Sequence, residues 1–167
     1  MSVIRRIRRV KIDLALQVAC EASDLPGQAD FERWVAAALE GRRERAELTV
    51  RIVDDAESQY LNRTWRHHDR PANVLSFPVG PAAGLPPRLR ASTLGDLVVC
   101  APVVSREAAE QGKPASAHWA HLVVHGTLHL LGYDHMDRAK AAVMEALEVE
   151  ILARLGYMNP YADLPLS

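Results

Sequence analysis

The sequence of 167 residues predicts one α+β domain over residues 1–167: roughly four strands in one mixed sheet, with helices packed on it. Three observations predict it. Short runs alternate apolar and polar residues, as half-buried strands do. Longer runs repeat apolar residues every three or four positions, as helices do. Glycine and proline fall between the two kinds of segment. With 49% apolar residues, a chain of this length has the material for a sizeable core.

Val10, Ile12, Leu14 and Leu16 alternate with Lys11, Asp13 and Ala15, which predicts a first strand over residues 3–17. Asp24-Leu25-Pro26-Gly27 reads as a turn. Phe31, Trp34, Val35, Ala38 and Leu39 recur at helical spacing, and Gly41 suits a C-terminal stop. Leu48, Val50 and Ile52 alternate with Thr49 and Arg51, giving a second strand. A short helix passes through Tyr60, Leu61 and Trp65. Val74–Phe77 is a short strand halted by Pro78, and residues 78–87, rich in proline and glycine, form a loop. Leu97-Val98-Val99-Cys100 reads as a buried strand. Ser105 is placed to cap a short helix ending near Gly112. A longer helix runs from Ala115 to about Leu131, closed by Gly132. The last runs from Asp137, its N-cap, to Leu155, with Met144, Leu147, Ile151, Leu152 and Leu155 toward the core.

A formal net charge of −1 points to no partner by overall electrostatics. The basic side chains are mostly arginine, clustered at Arg5–Arg9, Arg42–Arg45, Arg63–Arg70 and Arg88–Arg90. Arginine recognises phosphate with a planar fork, so nucleic acid stays open as a ligand. Cys20 and Cys100 form no CxxC pair and read as reduced thiols. No apolar run approaches the about 18 residues a membrane span needs. The arginines before Leu14–Cys20 resemble a secretory leader, but Asp13 and Gln17 interrupt the apolar stretch and the alternation fits a strand better. The expected location is the cytoplasm, without a membrane.

His125-Gly-Thr-Leu-His129-Leu-Leu-Gly132-Tyr-Asp-His135 carries the chemistry. Four residues apart on a helix, the imidazoles of His125 and His129 project from one face, one turn apart. That spacing places two nitrogens around one ion at the about 2.0–2.1 Å zinc prefers. Gly132 ends the helix and the chain turns back to deliver His135. Three protein ligands leave a fourth position for water, the pattern of a catalytic rather than a structural zinc site. The spacing HxxxHxxGxxH equals that of metzincin metalloproteases, HExxHxxGxxH. Gly126, however, stands where those enzymes carry the glutamate general base, and it is expected to remove bulk beside the metal. His118 and His121 precede the pair on the same helix and are expected to support the site or the fold. Asp134 either orients an imidazole or caps the turn.

The run His121–His135 resembles the signature of the YbeY family, bacterial metal-dependent endoribonucleases that cut single-stranded RNA during ribosomal RNA maturation. Leu61-Asn62, Arg66 and Pro71-Ala72-Asn73-Val74-Leu75-Ser76-Phe77-Pro78 resemble a second block of that family. Leu94-Gly95-Asp96-Leu97-Val98, Gly156-Tyr157 and Pro160-Tyr161 resemble three further stretches, so the likeness runs in order over residues 47–161. One departure is Ala72, where the family usually has threonine.

The resemblance implies that His125, His129 and His135 hold one zinc ion and that Arg66 is a functional arginine. On chemical grounds an arginine fork suits the negative charge that builds on phosphate oxygens during phosphodiester cleavage. Arg63, His67, His68 and Arg70 would extend a basic path for an RNA backbone. The implied function is maturation of the 16S ribosomal RNA 3′ end and ribosome quality control, in association with the ribosome or small-subunit proteins. The competing readings are a metzincin-like protease and a non-enzymatic ribosome assembly factor with a structural zinc.

Overall fold

The computed structural model describes residues 9–79 and 93–162. β1 (Lys11–Ala19) leads through α1 (Gln28–Leu39) to β2 (Arg45–Val53), which lies parallel to it. α2 (Asp55–Arg66), β3 (Val74–Pro78), β4 (Thr93–Cys100), α3 (Ala101–Glu110), α4 (Ala115–Leu130) and α5 (Arg138–Arg154) follow. The strand order is β1-β2-β4-β3, with β4 parallel to β2 and antiparallel to β3. The fold is therefore α+β with a mixed four-stranded sheet, as the alternation patterns predict.

The sheet is covered unequally. Leu14, Leu48, Val50, Ile52, Leu97 and Val99 join the main core with Phe31, Trp34, Leu128 and Ile151 from α1, α4 and α5. Val53, Leu75, Val98 and Cys100 form a second cluster with Leu61 of α2 and Val103 of α3. β4 is apolar on both faces because it lies between the two clusters, which is why it reads as a continuous run. β1 is an edge strand and keeps its alternation.

Several boundaries differ from the sequence expectation. β1 ends at Ala19, because Val18 and Ala19 pair with Ile52 and Val53; residues 3–8 of the expected strand lie outside the described residues. So does most of the expected 78–87 loop, of which Pro78 closes β3. Ser105 caps nothing: α3 starts at Ala101, directly off β4, with proline in its first turn, so Ser105 is an exposed mid-helix residue. Pro102 suits that turn, where its missing N–H has no intrahelical partner to lose. Asp137 does cap α5, accepting from the Lys140 N–H at 2.8 Å, and Asp54 does the same for α2 at the Glu57 N–H.

β4 is bulged. Glu47 pairs with Thr93 but Leu48 pairs with Gly95, which leaves Leu94 as the extra residue. Gly95 adopts φ +133°, and a Cβ there would stand 2.2 Å from the Phe77 carbonyl oxygen. Only glycine fits. Both cysteines are free: Cys20 is half-buried and Cys100 is buried, and burial pushes the Cys100 thiol up to about 11. Among the described residues no helix is long and apolar enough to cross a membrane.

Candidate metal centre

α4 is buried on nearly every side. From His121 to Leu130 only His121, His125 and His129 are partly open, and every residue between them is buried. The stripe recurs every four residues, so the imidazoles rise one above another along one slit in the packing. His118, seven residues before His125, falls on nearly the same face but is closed off from the slit. It is buried against α3, its Nε2 2.9 Å from Glu107 Oε1, and Glu107 in turn accepts from Asn73. Its role is to tie α4 to α3.

The third imidazole depends on how α4 ends. Gly132 takes φ +102°. Its N–H meets the His129 carbonyl at 3.0 Å and the Tyr133 N–H meets the Leu128 carbonyl at 3.1 Å, the bonding of a Schellman cap. The chain reverses and His135 comes back over the stripe. Asp134 shapes this turn by accepting from the Met136 N–H at 3.2 Å. One ligand nitrogen from each of His125, His129 and His135 lies within 4.8 Å of the others. His125 Nε2 and His129 Nε2 are 3.1 Å apart. Two nitrogens on a tetrahedral zinc would be about 3.3 Å apart at the usual bond lengths, so the donor set fits that ion. Burial, with His125 and His135 beside it, pulls the His129 pKa down to about 4, which keeps it neutral and able to bind metal.

Behind His125 stands a residue that spacing did not single out. Glu148 of α5 is fully buried and accepts from His125 Nδ1 at 2.5 Å. This fixes the tautomer: with Nδ1 protonated, Nε2 keeps its lone pair toward His129 and His135. The Tyr161 hydroxyl bonds the other Glu148 oxygen, and His121 Nε2 lies 3.2 Å from that hydroxyl. Burial raises the Glu148 pKa, but hydrogen bonds from His121, His125 and Tyr161 outweigh it and bring the carboxyl to about 2. Glu148 groups with His121 and His125, not with His129 and His135, so it backs the three-imidazole cluster and adds no fourth arm.

The cluster opens into a cleft of about 450 Å3, walled by Asn73–Ser76 and Pro78 of the β3 region and by Arg66 at the end of α2. Arg66 is held there: its Nη2 donates to the Ser76 carbonyl at 2.6 Å, and its guanidinium sits 5.2 Å from the Phe77 ring centre. Gly126 corrects an expectation. It does not make room in this cleft; a Cβ there would meet Leu97 Cδ2 at 2.8 Å and Ser76 Oγ at 3.2 Å. The missing side chain lets α4 lie close on β3 and β4, where Ser76 Oγ donates to the Gly126 carbonyl. Ala72 needs no hydroxyl either, because Ser58 Oγ bonds both its N–H and its carbonyl at 2.9 Å.

The family profile described as endoribonuclease YbeY matches residues 17–156. A Stenotrophomonas maltophilia protein named endoribonuclease YbeY is 55% identical over 153 residues, 92% of this chain and 95% of that protein. A protein of the same name from Xanthomonas campestris pv. campestris matches at the same identity and coverage. The chain belongs to the YbeY family. A Thermotoga maritima protein of known solution structure is 20% identical and shares the fold with a TM-score of 0.54, over 89% of this chain and 99% of that one.

Glu148 left a trace in the sequence: a carboxylate at the spacing of Met144, Ile151 and Leu152, on the apolar stripe of α5. A charge on a core face needs a partner. Tyr161 left only its place in the Pro160-Tyr161 pair of the family likeness, which gives it no part in the site. If the carboxylate orients and enriches the His125 imidazole, Glu148→Gln should fold normally yet bind zinc about 10-fold to 100-fold more weakly. Chelator competition measures this; unchanged affinity would reduce Glu148 to a structural residue.

Proposed function

We propose that the chain is a zinc-dependent endoribonuclease specific for single-stranded RNA, holding one ion on His125, His129 and His135. The observation that supports it most is the meeting of that cluster with Arg66 in one cleft, in a chain whose relatives are named endoribonucleases. A zinc ion there would act as a Lewis acid on a phosphate oxygen and lower the pKa of a bound water toward about 7. Arg66 holds the phosphodiester and offsets the negative charge that develops on it. Its Ser76 and Phe77 contacts set the fork before the substrate arrives. Glu148 keeps His125 in one tautomer throughout. The process we infer is maturation of the 16S ribosomal RNA 3′ end and ribosome quality control, in the cytoplasm, beside the ribosome or small-subunit proteins, with residues 1–167 acting as one unit.

A protease reading loses support at Gly126, which carries no base and whose Cβ direction is filled by Leu97. The test offers purified protein single-stranded RNA, duplex RNA and peptide. Single-stranded RNA should be cut, a chelator should stop cutting, and added zinc should restore it. Arg66→Ala should lower kcat about 10²-fold with zinc content intact. Metal-independent cutting, or peptide cleavage alone, overturns the proposal.

A further inference from the structure

We propose that Trp65 is a stacking platform for a base of the RNA strand, next to the Arg66 subsite. The inference rests on the endoribonuclease reading and extends it to a residue with no assigned part. On α2, Trp65 follows Asn62 by three residues and Ser58 by seven, and those two are the buried residues of the helix. Trp65 therefore points to the inward side, where an aromatic ring should be covered. It is 61% exposed. The end of α2 overruns its support, and residues 63–70 are all exposed.

The surroundings say what would cover the indole. The exposed run carries Arg63, Arg66, Arg70, His67 and His68 against one acid, Asp69. Asp69 already accepts from Gln59 and lies 3.9 Å from Arg63. The charge around the ring is thus complementary to phosphate. Arg66 enters the cleft, and consecutive Cα atoms are about 3.8 Å apart. The two side chains leave the last turn of α2 about 100° apart, so a strand whose phosphate meets Arg66 reaches the indole by carrying its next base round the end of the helix. Stacking of this kind accepts any base and needs a base free of its duplex neighbours. Trp65 would so give the site its preference for single strands, which three imidazoles and an arginine cannot supply alone.

The chain has a built-in probe. Of its three tryptophans, Trp34 and Trp119 are 1% and 4% exposed, so solvent-accessible emission comes from Trp65. The ligands are a 2′-O-methyl oligouridylate, which resists cleavage, and an abasic ribose-phosphate chain of the same length. The uridylate should quench the exposed emission and the abasic chain should not. Trp65→Ala should bind the uridylate about 10-fold to 100-fold more weakly and the abasic chain as the native protein does, while Trp65→Phe keeps most of the affinity. Quenching is read on the native protein, so it stands even if a variant folds poorly. Binding of the uridylate without quenching, or an equal loss on both ligands in Trp65→Ala, overturns the platform and leaves the nuclease reading intact. Concentration-dependent quenching without RNA would place a second copy of the chain there and also overturn it. If the native protein neither binds nor cuts RNA, the endoribonuclease reading falls first.

Discussion

His129→Ala should give a folded protein whose cleavage of single-stranded RNA is lower by on the order of 10³-fold or more. The size of the loss follows from the geometry. His129 lies between its two companions, with ring centres 4.6 Å from His125 and 5.0 Å from His135. Without it two imidazoles remain, and His135 is on an exposed turn rather than a helix. Elemental analysis should find zinc depleted. Stability should hardly change, because the lost ring faces the cleft and alanine is the best helix former. That combination separates a catalytic ion from a structural one: loss of a structural zinc removes folding energy directly. A variant that cuts RNA at the native rate would remove His129 from the mechanism.

Gly95→Ala should be the most damaging small substitution in the sheet, costing about 4 kcal/mol and lowering Tm by roughly 10 °C. Two costs combine. The backbone at φ +133° is closed to L side chains, and the new Cβ would meet the Phe77 carbonyl at 2.2 Å, with Pro78 Cα at 3.0 Å. Neither neighbour is a flexible side-chain end that swings away. Phe77 also stacks under Arg66, so the strain reaches the cleft, and activity per folded molecule should fall as well. Thermal unfolding with a cleavage assay below the transition checks both; a Tm within about 2 °C of native would contradict the geometry.

Much of the fold was legible because its signals are local. Alternation in β1 and β2 needs only neighbouring residues, and so do the helical spacing of α1 and the Asp137 cap of α5. The start of α3 was misplaced because no loop separates β4 from it, so Ser105 looked like a cap while Pro102 occupied the first turn. Gly126 was misjudged for a related reason. Spacing put it beside the histidines, but on a helix the next residue points about 100° away, and here that direction is the sheet. The basic clusters at Arg5–Arg9 and Arg88–Arg90 lie, apart from Arg9, outside the described residues.

By itself the sequence determined that three imidazoles would meet, because helical periodicity and one left-handed glycine act over eleven residues. It also carried the family signature. Only the tertiary structure decided what stands behind and across from them. Glu148 reaches His125 from 23 residues away because α5 packs on α4, Tyr161 closes the network from beyond the last helix, and Arg66 arrives because α2 ends at β3. Those meetings depend on how whole elements bury their apolar faces against one another, and short-range spacing holds no record of that.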